Sequence, residues 1–288
     1  MDTVWVGNVE IASLFDGPLP LPLWQFAVPV HRAAMEGAMR HLADEHGQVI
    51  VPMRCYLLRT EGRVVLLDSG FGPRPDGGVV GCLDRSLRNA GVDPCDIEVV
   101  LNTHLHHDHV GWNIVDGADG IPAAFFPNAE HVFQQAEWDY WMTPERLADP
   151  ANAHLRRSVA PLPDLRPVRF VTGEVTIGRD LTFVSTPGHT PGHVAIGIQS
   201  SGERAIIIGD ASHYAEQLDH PEWSPVWDAD PHVAADTRRK LFDEAEADGR
   251  LVAATHYPGT GMGRVVRLSG RRVFRSVAVS QSGDRDPA

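Results

Sequence analysis

The chain has 288 residues, of which 43% are hydrophobic and 22% are charged, and it carries a formal net charge of −13 at pH 7. This length suits one large or two small domains with a substantial core, and the composition is typical of a soluble globular protein. A surface this acidic repels phosphate backbones, so the charge argues against nucleic acid as a partner.

The N-terminal region shows no pattern of export or membrane insertion. "MDTVWVGNVE" lacks a basic segment followed by an apolar run, so we predict no signal peptide. Residues 17–30, "GPLPLPLWQFAVPV", are apolar, but four prolines prevent a spanning helix and predict an irregular loop with exposed or semi-exposed apolar groups. The three cysteines have no CxxC spacing, which argues against a disulfide framework and predicts a cytoplasmic protein.

Short strands and one helix are predicted in the first half of the chain. "VIVPMRCYLL" and "RVVLLD" are apolar and β-branched, and the turn at Glu61 and Gly62 predicts that they form a hairpin. "LDRSLRNAG" predicts a short helix that ends at Gly91, with Pro94 just beyond. "IEVVLNT" is a continuous apolar run typical of a strand buried on both faces, and it ends at a cluster of histidines.

The second half repeats this pattern. "VRFVTG", "EVTIG" and "LTFVSTPG" predict short strands, and "HVAIGIQS" and "RAIIIGD" predict a hairpin across a Ser–Gly turn. "DPHVAADTRRKLFDEAEADG" is the clearest helix, because Asp230 can cap it, Pro231 fits its first turn and Gly249 can end it. "RLVAATH" predicts a strand that ends in a histidine. One face of the long helix has i, i+4 spacing and consists of Val233, Thr237, Leu241 and Ala245.

Strands and helices are therefore mixed, and each half begins with hairpins and then adds a helix. This order predicts a layered α/β domain with two similar halves. We predict a single domain over residues 1–279, in which the apolar segment 1–48 contributes to a pocket or to a dimer contact. The remaining residues, 280–288, form a polar tail that we expect to be disordered.

Four predicted strand ends carry histidine or aspartate, in "LNTHLHHDH", "STPGHTPGH", "IIIGDASHY" and "VAATHYPG". These are residue types that zinc prefers, and four such ends in one chain favour a metal site over chance. Residues two apart in an extended turn point to the same side, so His104 and His106 can share one ion. Asp108 and His109 lie just beyond and can serve a second ion, whereas His107 points the other way.

The pattern His104-x-His106-x-Asp108–His109 is followed by His189, Asp210 and His256, and in this order it resembles the metallo-β-lactamase superfamily over about residues 51–267. The resemblance implies an α/β fold, the αββα sandwich, with two mixed β-sheets flanked by helices and a metal site at one edge. It also implies that the early motif "LLDSGFG" supplies Asp68 as a partner for a ligand histidine.

The resemblance implies a role for each candidate ligand. The first ion would bind His104, His106 and His189. The second ion would bind Asp108, His109 and His256. Asp210 would bridge the two ions, and the resemblance favours His189 over His193 in "PGHTPGH".

Several branches of the superfamily do not fit. The flavo-diiron oxygen reductases have glutamate at the position of His106, and the zinc β-lactamases have cysteine at the position of Asp210 or lack the bridging carboxylate. Nuclease branches carry basic or extra domains, and glyoxalase II has basic glutathione contacts that we do not find here. The chain resembles most the branch of acyl-homoserine-lactone lactonases and methyl-parathion-hydrolase-like enzymes. The lactonases place tyrosine three residues after the bridging aspartate, where this chain has His213 followed by Tyr214, and this departure favours the parathion-hydrolase-like side.

The resemblance predicts a dinuclear metal-dependent hydrolase with two divalent ions, zinc being expected and iron, manganese or cobalt being the alternatives. A metal-bridging hydroxide would open a lactone or cleave a hydrophobic carboxylic ester. Tyr214 or His213 would donate to the oxyanion, and Asp108 or Asp210 would pass a proton to the leaving alkoxide. The alternatives are a phosphotriester or aryl-ester hydrolase of the methyl-parathion-hydrolase type, a thioesterase, an iron oxidoreductase and a non-catalytic binding scaffold.

We expect apolar pocket walls from "LPLPLWQF", "IPAAFFP", "EWDYWM" and "HPEWSPVW", with core packing as the alternative for each. The expected partner is a small hydrophobic ester or lactone, without nucleic acid or membrane, and the apolar N-terminal segment makes a homodimer one alternative. The other histidines are expected on the surface or on helices: His31, His41, His46, His131, His154, His220 and His232.

Overall fold

The computed structural model describes residues 2–75, 78–117 and 119–281. The strands are β1 (Asp2–Val6), β2 (Val9–Pro22), β3 (Gln48–Thr60), β4 (Arg63–Leu67), β5 (Val99–Leu101), β6 (Ile114–Asp116), β7 (Pro122–Ala124), β8 (Glu130–Gln134), β9 (Val168–Val171), β10 (Val175–Ile177), β11 (Leu181–Ser185), β12 (Val194–Ser200), β13 (Glu203–Ile207), β14 (Leu251–Ala253), β15 (Met262–Leu268), β16 (Arg271–Ser276) and β17 (Ser280–Gln281). The α-helices are α1 (Arg32–Met39), α2 (Leu83–Asn89), α3 (His107–Val110), α4 (Gln135–Trp141), α5 (Pro144–Ala148), α6 (Ala153–Ser158), α7 (Leu162–Leu165) and α8 (Pro231–Asp248).

Two large mixed sheets contain nearly all of the described strands. The first has the order β17-β1-β2-β3-β4-β5-β8-β9, and the second has the order β10-β11-β12-β13-β14-β15-β16. Strands β4, β5, β8 and β9 run parallel to one another, and β13 runs parallel to β14. The predicted hairpins β3–β4 and β12–β13 are present, and positive φ values at Glu61 and Gly62 make the tight turn of the first.

The two sheets pack face to face, with a helix layer outside each. Side chains alternate along a strand, so Val65 and Leu67 of β4 point inward to meet Phe183 of the second sheet, while Leu66 points outward. Helix α2 packs on the outer face of the first sheet, and α8 packs on the outer face of the second through Phe242. These layers are the αββα sandwich that the sequence predicts, and the predicted fold class is confirmed.

Strand β2 contradicts the prediction of an irregular loop for the first part of the proline-rich segment. Residues 17–22 pair antiparallel with β3, after a register shift between Phe15 and Gly17. Pro18, Pro20 and Pro22 stand at alternate positions, so their backbone nitrogens all face the same side of β2, the side away from β3. The N–H groups that proline lacks are therefore not needed for pairing with β3. Because β1 pairs only as far as Ala12, that side is an open edge, where proline is tolerated. A short 3-10 helix then follows at Leu23–Phe26.

Helix α8 begins and ends where the sequence predicts. The Asp230 carboxylate accepts hydrogen bonds from the N–H groups of His232 and Val233, and Gly249 ends the helix with a φ of +63°. Of the face with i, i+4 spacing, Leu241 and Ala245 are buried, whereas Val233 in the first turn is 39% exposed. The neighbouring Ala234 lies against the backbone of Gly188. The buried residues are Ala234, Ala235, Arg238, Leu241, Phe242 and Ala245.

The end of the described chain corrects part of the predicted tail. Ser280 and Gln281 form β17 against β1, and the Thr3 hydroxyl donates to the Ser280 carbonyl at 3.1 Å. The open edge of β1 offers backbone partners, so the start of the tail is ordered, while residues 282–288 lie outside the described residues. The single domain over residues 1–279 stays a prediction. None of the helices within the described ranges is both long and apolar enough to cross a membrane.

Candidate metal centre

Seven candidate ligand side chains converge at one edge of the sandwich, where strands of both sheets end. His104 and His106 lie in the loop after β5, and Asp108 and His109 lie on α3, which begins directly after that loop. The remaining three follow strands of the second sheet. His189 lies in the loop after β11, Asp210 in a short 3-10 helix after β13, and His256 just after β14.

The first group consists of His104, His106 and His189. The Nε2 atom of His189 lies 2.8 Å from Nδ1 of His106 and 3.2 Å from Nε2 of His104, and the latter two nitrogens are 3.0 Å apart. Zinc–nitrogen bonds of about 2.0–2.1 Å in a tetrahedral arrangement place neighbouring nitrogens roughly 3.3 Å apart. The three nitrogens are therefore spaced closely enough to bind one ion together.

The second group consists of Asp108, His109 and His256. The nearer Asp108 oxygen, Oδ2, lies 3.8 Å from Nε2 of His109 and 3.8 Å from Nε2 of His256. Asp210 lies between the two groups. Its Oδ2 is 3.4 Å from Nε2 of His189, and its Oδ1 is 3.1 Å from Nε2 of both His109 and His256. One carboxylate thus presents one oxygen to each group.

Hydrogen bonds at the far ring nitrogen fix the orientation of several candidate ligands. Nδ1 of His109 lies 2.8 Å from an Asp68 carboxylate oxygen, and Nδ1 of His256 lies 2.9 Å from the Pro52 carbonyl. Since an ionised carboxylate and a carbonyl can only accept, Nδ1 of these rings carries the proton. Nε2 is then left with a lone pair that faces the centre, as in metal-binding histidines.

The donor set fits divalent cations. Within the described residues, His109 Nε2 and Asp210 Oδ1 are buried without a hydrogen-bond partner, an arrangement that a cation would satisfy. Burial, together with neighbouring imidazoles, keeps the pKa of His104 and His106 well below the usual range. Burial would raise the pKa of Asp210, but nearby imidazoles outweigh it and hold that pKa well below its usual value. Neutral imidazole and ionised carboxylate are the forms that bind metal.

Asp68 supports the second group, and its contact with a candidate ligand histidine agrees with the sequence analysis. Besides His109, its carboxylate accepts from the N–H and the hydroxyl of Thr103, each at 2.8 Å. Asp68 is buried and has a φ of +58°, which is uncommon for a residue other than glycine. Backbone strain of this kind persists where the surrounding contacts require the conformation.

His193 belongs to neither group and instead supports Asp210. Its Nε2 accepts the backbone N–H of Asp210 at 3.1 Å, and burial lowers its pKa to about 3, so the ring is neutral. Gly209 makes this contact possible: it has a φ of +51°, and a Cβ there would lie 2.9 Å from Nε2 of His193. A larger residue at 209 would displace the ring that holds Asp210.

His213 lies at the site, whereas Tyr214 does not. Nε2 of His213 accepts the Trp227 indole N–H at 3.0 Å and lies 3.2 Å from Asp210 Oδ2. The Tyr214 hydroxyl points the other way and contacts the backbone carbonyls of Phe26 at 2.7 Å and Trp223 at 2.9 Å. Neighbouring residues of an extended segment point to opposite sides, so bringing His213 inward turns Tyr214 outward. The structure therefore contradicts the predicted oxyanion role of Tyr214.

A cavity of about 200 Å³ opens at the centre. Its apolar walls include Leu19 and Leu21 of β2, Phe26, and Trp227, so "LPLPLWQF" and "HPEWSPVW" supply pocket residues as predicted. His107 also lines the cavity, although it was expected to point the other way, and it belongs to neither group. The described lining residues include no lysine or arginine.

The other two predicted wall segments do not line this cavity, and their largest buried side chains pack in the core. Phe126 of "IPAAFFP" is completely buried against the outer face of the first sheet. Trp141 of "EWDYWM" belongs to a separate core cluster, from which its ring reaches the edge of His106 at a centroid distance of 5.4 Å. The prediction of a surface or helix position fails for His131, which is buried at 0% exposure in β8, whereas His154 is buried at 7% exposure but does lie on a helix, α6.

Sequence reasoning did not identify a buried ion pair behind the first group. Asp228 contacts Nδ1 of His189 at 3.0 Å with one oxygen and Nη1 of Arg238 at 3.1 Å with the other. The Arg238 and Asp228 side chains are both 0% exposed. The pair links the His189 loop to α8, and no spacing in the sequence marks it, since the three residues lie on separate segments.

Comparisons with known proteins identify the family of this chain and several relatives. The sequence profile of the family described as "Metallo-beta-lactamase superfamily" matches residues 52–256. The N-acyl homoserine lactonase AttM of Rhizobium radiobacter is 30% identical over 186 residues, or 62% of this chain and 64% of AttM. The match thus spans less than two thirds of that relative. The N-acyl homoserine lactonase AiiA of Bacillus thuringiensis subsp. kurstaki is 22% identical over 251 residues, or 80% of this chain and 92% of AiiA.

Solved structures share the whole architecture. One described as hydrolase AbOPH in the beta lactamase superfamily has a TM-score of 0.85 at 26% identity, covering 97% of this chain and 98% of AbOPH. A second, AidC, is described as a dizinc quorum-quenching lactonase in complex with a product. Its TM-score is 0.83 at 23% identity, with 97% of this chain and 98% of AidC covered. At that identity the likeness to AidC shows the fold alone.

Proposed function

The chain belongs to the metallo-beta-lactamase superfamily, and we propose that it is a dinuclear metal-dependent hydrolase that opens a lactone or cleaves a hydrophobic carboxylic ester. The observation that carries the proposal is Asp210, which presents one carboxylate oxygen to each of two ligand groups. Two groups that share a carboxylate fit two ions rather than one. The proposed ligands are His104, His106 and His189 for one ion, Asp108, His109 and His256 for the other, and Asp210 for both.

When bound, two such ions supply a water of lowered pKa and polarise the carbonyl oxygen of an ester. Imidazole and carboxylate ligands suit zinc, and they also accept iron, manganese or cobalt. Asp108 and Asp210 both line the cavity. Because both oxygens of Asp210 face candidate ions, Asp108 is the carboxylate that would pass a proton to the leaving oxygen.

His213 is the residue that we assign to hydrogen bonding with the substrate. Its Nε2 accepts the Trp227 N–H, and burial lowers its pKa, so a neutral ring carries its proton on Nδ1. Within the described residues this buried Nδ1 has no partner, although His213 lines the cavity. An unpaired buried donor is costly unless a ligand uses it, and a carbonyl oxygen is such a ligand.

The cavity favours an uncharged substrate. Its described walls combine leucine, valine, phenylalanine and tryptophan with the candidate ligands, and they include no cationic side chain. An anionic glutathione thioester would find no counter-charge there, whereas a neutral lactone or ester would bury its apolar groups. The names of AttM and AiiA as N-acyl homoserine lactonases support a lactone. We further propose that the segment 1–48 belongs to the same domain as a pocket element, and that the protein is cytoplasmic.

A neutral phosphotriester or aryl ester is the second candidate. It is also uncharged, and His213 stands where the lactonases that the sequence resembles have tyrosine. The two candidates differ in the reacting centre, a planar carbonyl in one and a tetrahedral phosphorus in the other, so turnover with matched substrates separates them.

Metal analysis of the purified full chain, followed by a panel of N-acyl homoserine lactones, aryl esters, thioesters and neutral phosphotriesters, tests the proposal. We expect about two ions per chain and turnover of lactones or esters that a chelator abolishes and added Zn²⁺ restores. Faster turnover of phosphotriesters would favour the second candidate. One iron ion per chain with oxygen consumption, or no turnover by protein that holds two ions, would overturn the proposal.

A further inference from the structure

Glu137 is a buried carboxylate behind the first group. It lies on α4, is 2% exposed, and accepts hydrogen bonds at both oxygens. Oε1 accepts from the backbone N–H of Leu105 at 3.0 Å and from the Trp141 indole N–H at 2.7 Å. Oε2 accepts from the Thr190 hydroxyl at 2.7 Å and from the backbone N–H of Gly192 at 3.0 Å. All four partners are donors, so the geometry fits the ionised carboxylate.

The donors belong to the two loops that carry the first group. Leu105 lies between His104 and His106 in the first sheet's loop, and Thr190 directly follows His189 in the second sheet's loop. No single stretch of backbone therefore fixes the distance between His189 and the other two histidines. The Glu137 carboxylate bonds to both loops at once and is a shared anchor for them.

Packing makes the anchor rigid. A Cβ added to Gly192 would lie 2.1 Å from the backbone nitrogen of Glu137, so this loop rests directly on the first turn of α4. Trp141, which donates to the same carboxylate, packs its ring in a T-shaped contact with the His106 ring. The helix, both loops and one candidate ligand ring are thus held together around the carboxylate.

The second group has other supports. His109 is bonded to Asp68, and His256 to the carbonyl of Pro52. Neither contact involves Glu137, so a change at Glu137 should act on one ion rather than on both.

We propose that Glu137 is a positioning residue that sets the separation of the two loops and thereby the affinity of His104, His106 and His189 for their ion. The inference rests on the ligand assignment of the proposed function, but it does not depend on the substrate. Glu137 does not line the described cavity, so its effect passes through the ligands.

The test is metal binding by the full chain, stripped of metal with a chelator and titrated with Co²⁺ while its absorption spectrum is recorded. In Glu137→Gln one carboxylate oxygen is replaced by an N–H₂ group, which cannot accept the hydrogen bonds of the donors that faced that oxygen. One of the two loops therefore loses its anchor. We expect the affinity of the first ion to fall about 10–100-fold, as for other residues that orient ligands. The second ion should bind with unchanged affinity. Asp139→Asn, an exposed change on the same helix, is the matched control and should bind both ions as the parent does.

A folded Glu137→Gln protein that binds both ions with parent affinity would overturn the inference, and so would an equal loss at both ions, which indicates general structural damage. If Glu137→Gln does not fold, Thr190→Val removes one donor at nearly constant volume. Thr190→Val should then lower the affinity for the first ion alone. If it binds both ions with the affinity of the parent, the inference is overturned. Because the readout is Co²⁺ binding, absence of ester turnover in the parent would refute the proposed function and leave this result standing.

Discussion

The ion pair between Asp228 and Arg238 gives the most quantitative prediction. Asp228 serves two donors, the His189 ring N–H and the Arg238 guanidinium, with one oxygen each. In Asp228→Asn only one oxygen remains, so the new N–H₂ group must face one of the donors. Breaking a buried ion pair on one side costs roughly 3–5 kcal/mol.

The low end of that range applies here, because the guanidinium keeps neutral acceptors. Arg238 also donates to the carbonyls of Pro221 and Ala211 and to the Ser224 hydroxyl. We therefore expect the free energy of unfolding to fall by about 3 kcal/mol in Asp228→Asn. That is a large part of the roughly 5–15 kcal/mol that stabilises a typical domain.

Denaturant unfolding of the metal-free full chain measures this loss, and a double-mutant cycle tests its cause. Asp228→Asn combined with Arg238→Met removes the unpaired charge, so the double variant should lose less than the sum of the single losses, by about 1–3 kcal/mol. Asp236→Asn, an exposed change on α8, should alter the free energy of unfolding by less than about 0.5 kcal/mol. A loss below about 1 kcal/mol in Asp228→Asn, or strict additivity in the cycle, would refute the reasoning.

Three further changes follow from the site. His106→Ala should leave one ion per chain by metal analysis and abolish ester turnover. The exposed control His46→Ala should keep two ions and the parent turnover. Two ions per chain in His106→Ala would contradict the ligand assignment. Tyr214→Phe should lower the free energy of unfolding by about 1 kcal/mol and leave kcat/KM unchanged, because the hydroxyl bonds only to backbone carbonyls. A tenfold loss of kcat/KM would instead indicate a catalytic role for Tyr214. Gly209→Ala should destabilise the chain by about 1–3 kcal/mol in thermal unfolding, since it forces a positive φ on alanine and a clash with His193, and an unchanged Tm would contradict that.

Local patterns predicted most of the fold. The hairpins, the caps of α8 and the strand before the histidine cluster follow from apolar runs and turn residues that lie close together in the sequence. The prediction failed at β2, because the effect of Pro18, Pro20 and Pro22 depends on which edge of the strand is open. That edge is set by where β1 stops, which the proline-rich segment itself does not encode.

The sequence predicted the candidate ligands and the supporting contact of Asp68, but it did not predict the contacts of Glu137 and Asp228. Each candidate ligand follows a predicted strand, and four of them lie close together in residues 104–109. By contrast, Glu137 is 32 residues from Leu105 and 55 from Gly192, and Asp228 is 39 from His189. Such contacts exist only once both sheets are assembled. A signal was available in "EWDYW", where Glu137 directly precedes Trp138, an unusual place for a charge unless the fold supplies donors.

We expect part of the substrate preference of this chain to come from residues outside the segment that carries the candidate ligands. The family match begins at residue 52, and every candidate ligand lies within it. Leu19, Leu21, Phe26 and Val51 line the cavity and all precede that match. Their position depends on the continuation of β2 along β3, which brings the N-terminal segment to the metal edge. Exchanging residues 17–51 between relatives should therefore change which ester is preferred while metal content stays the same, and a swap that altered metal content instead would show that the segment supports the ligands.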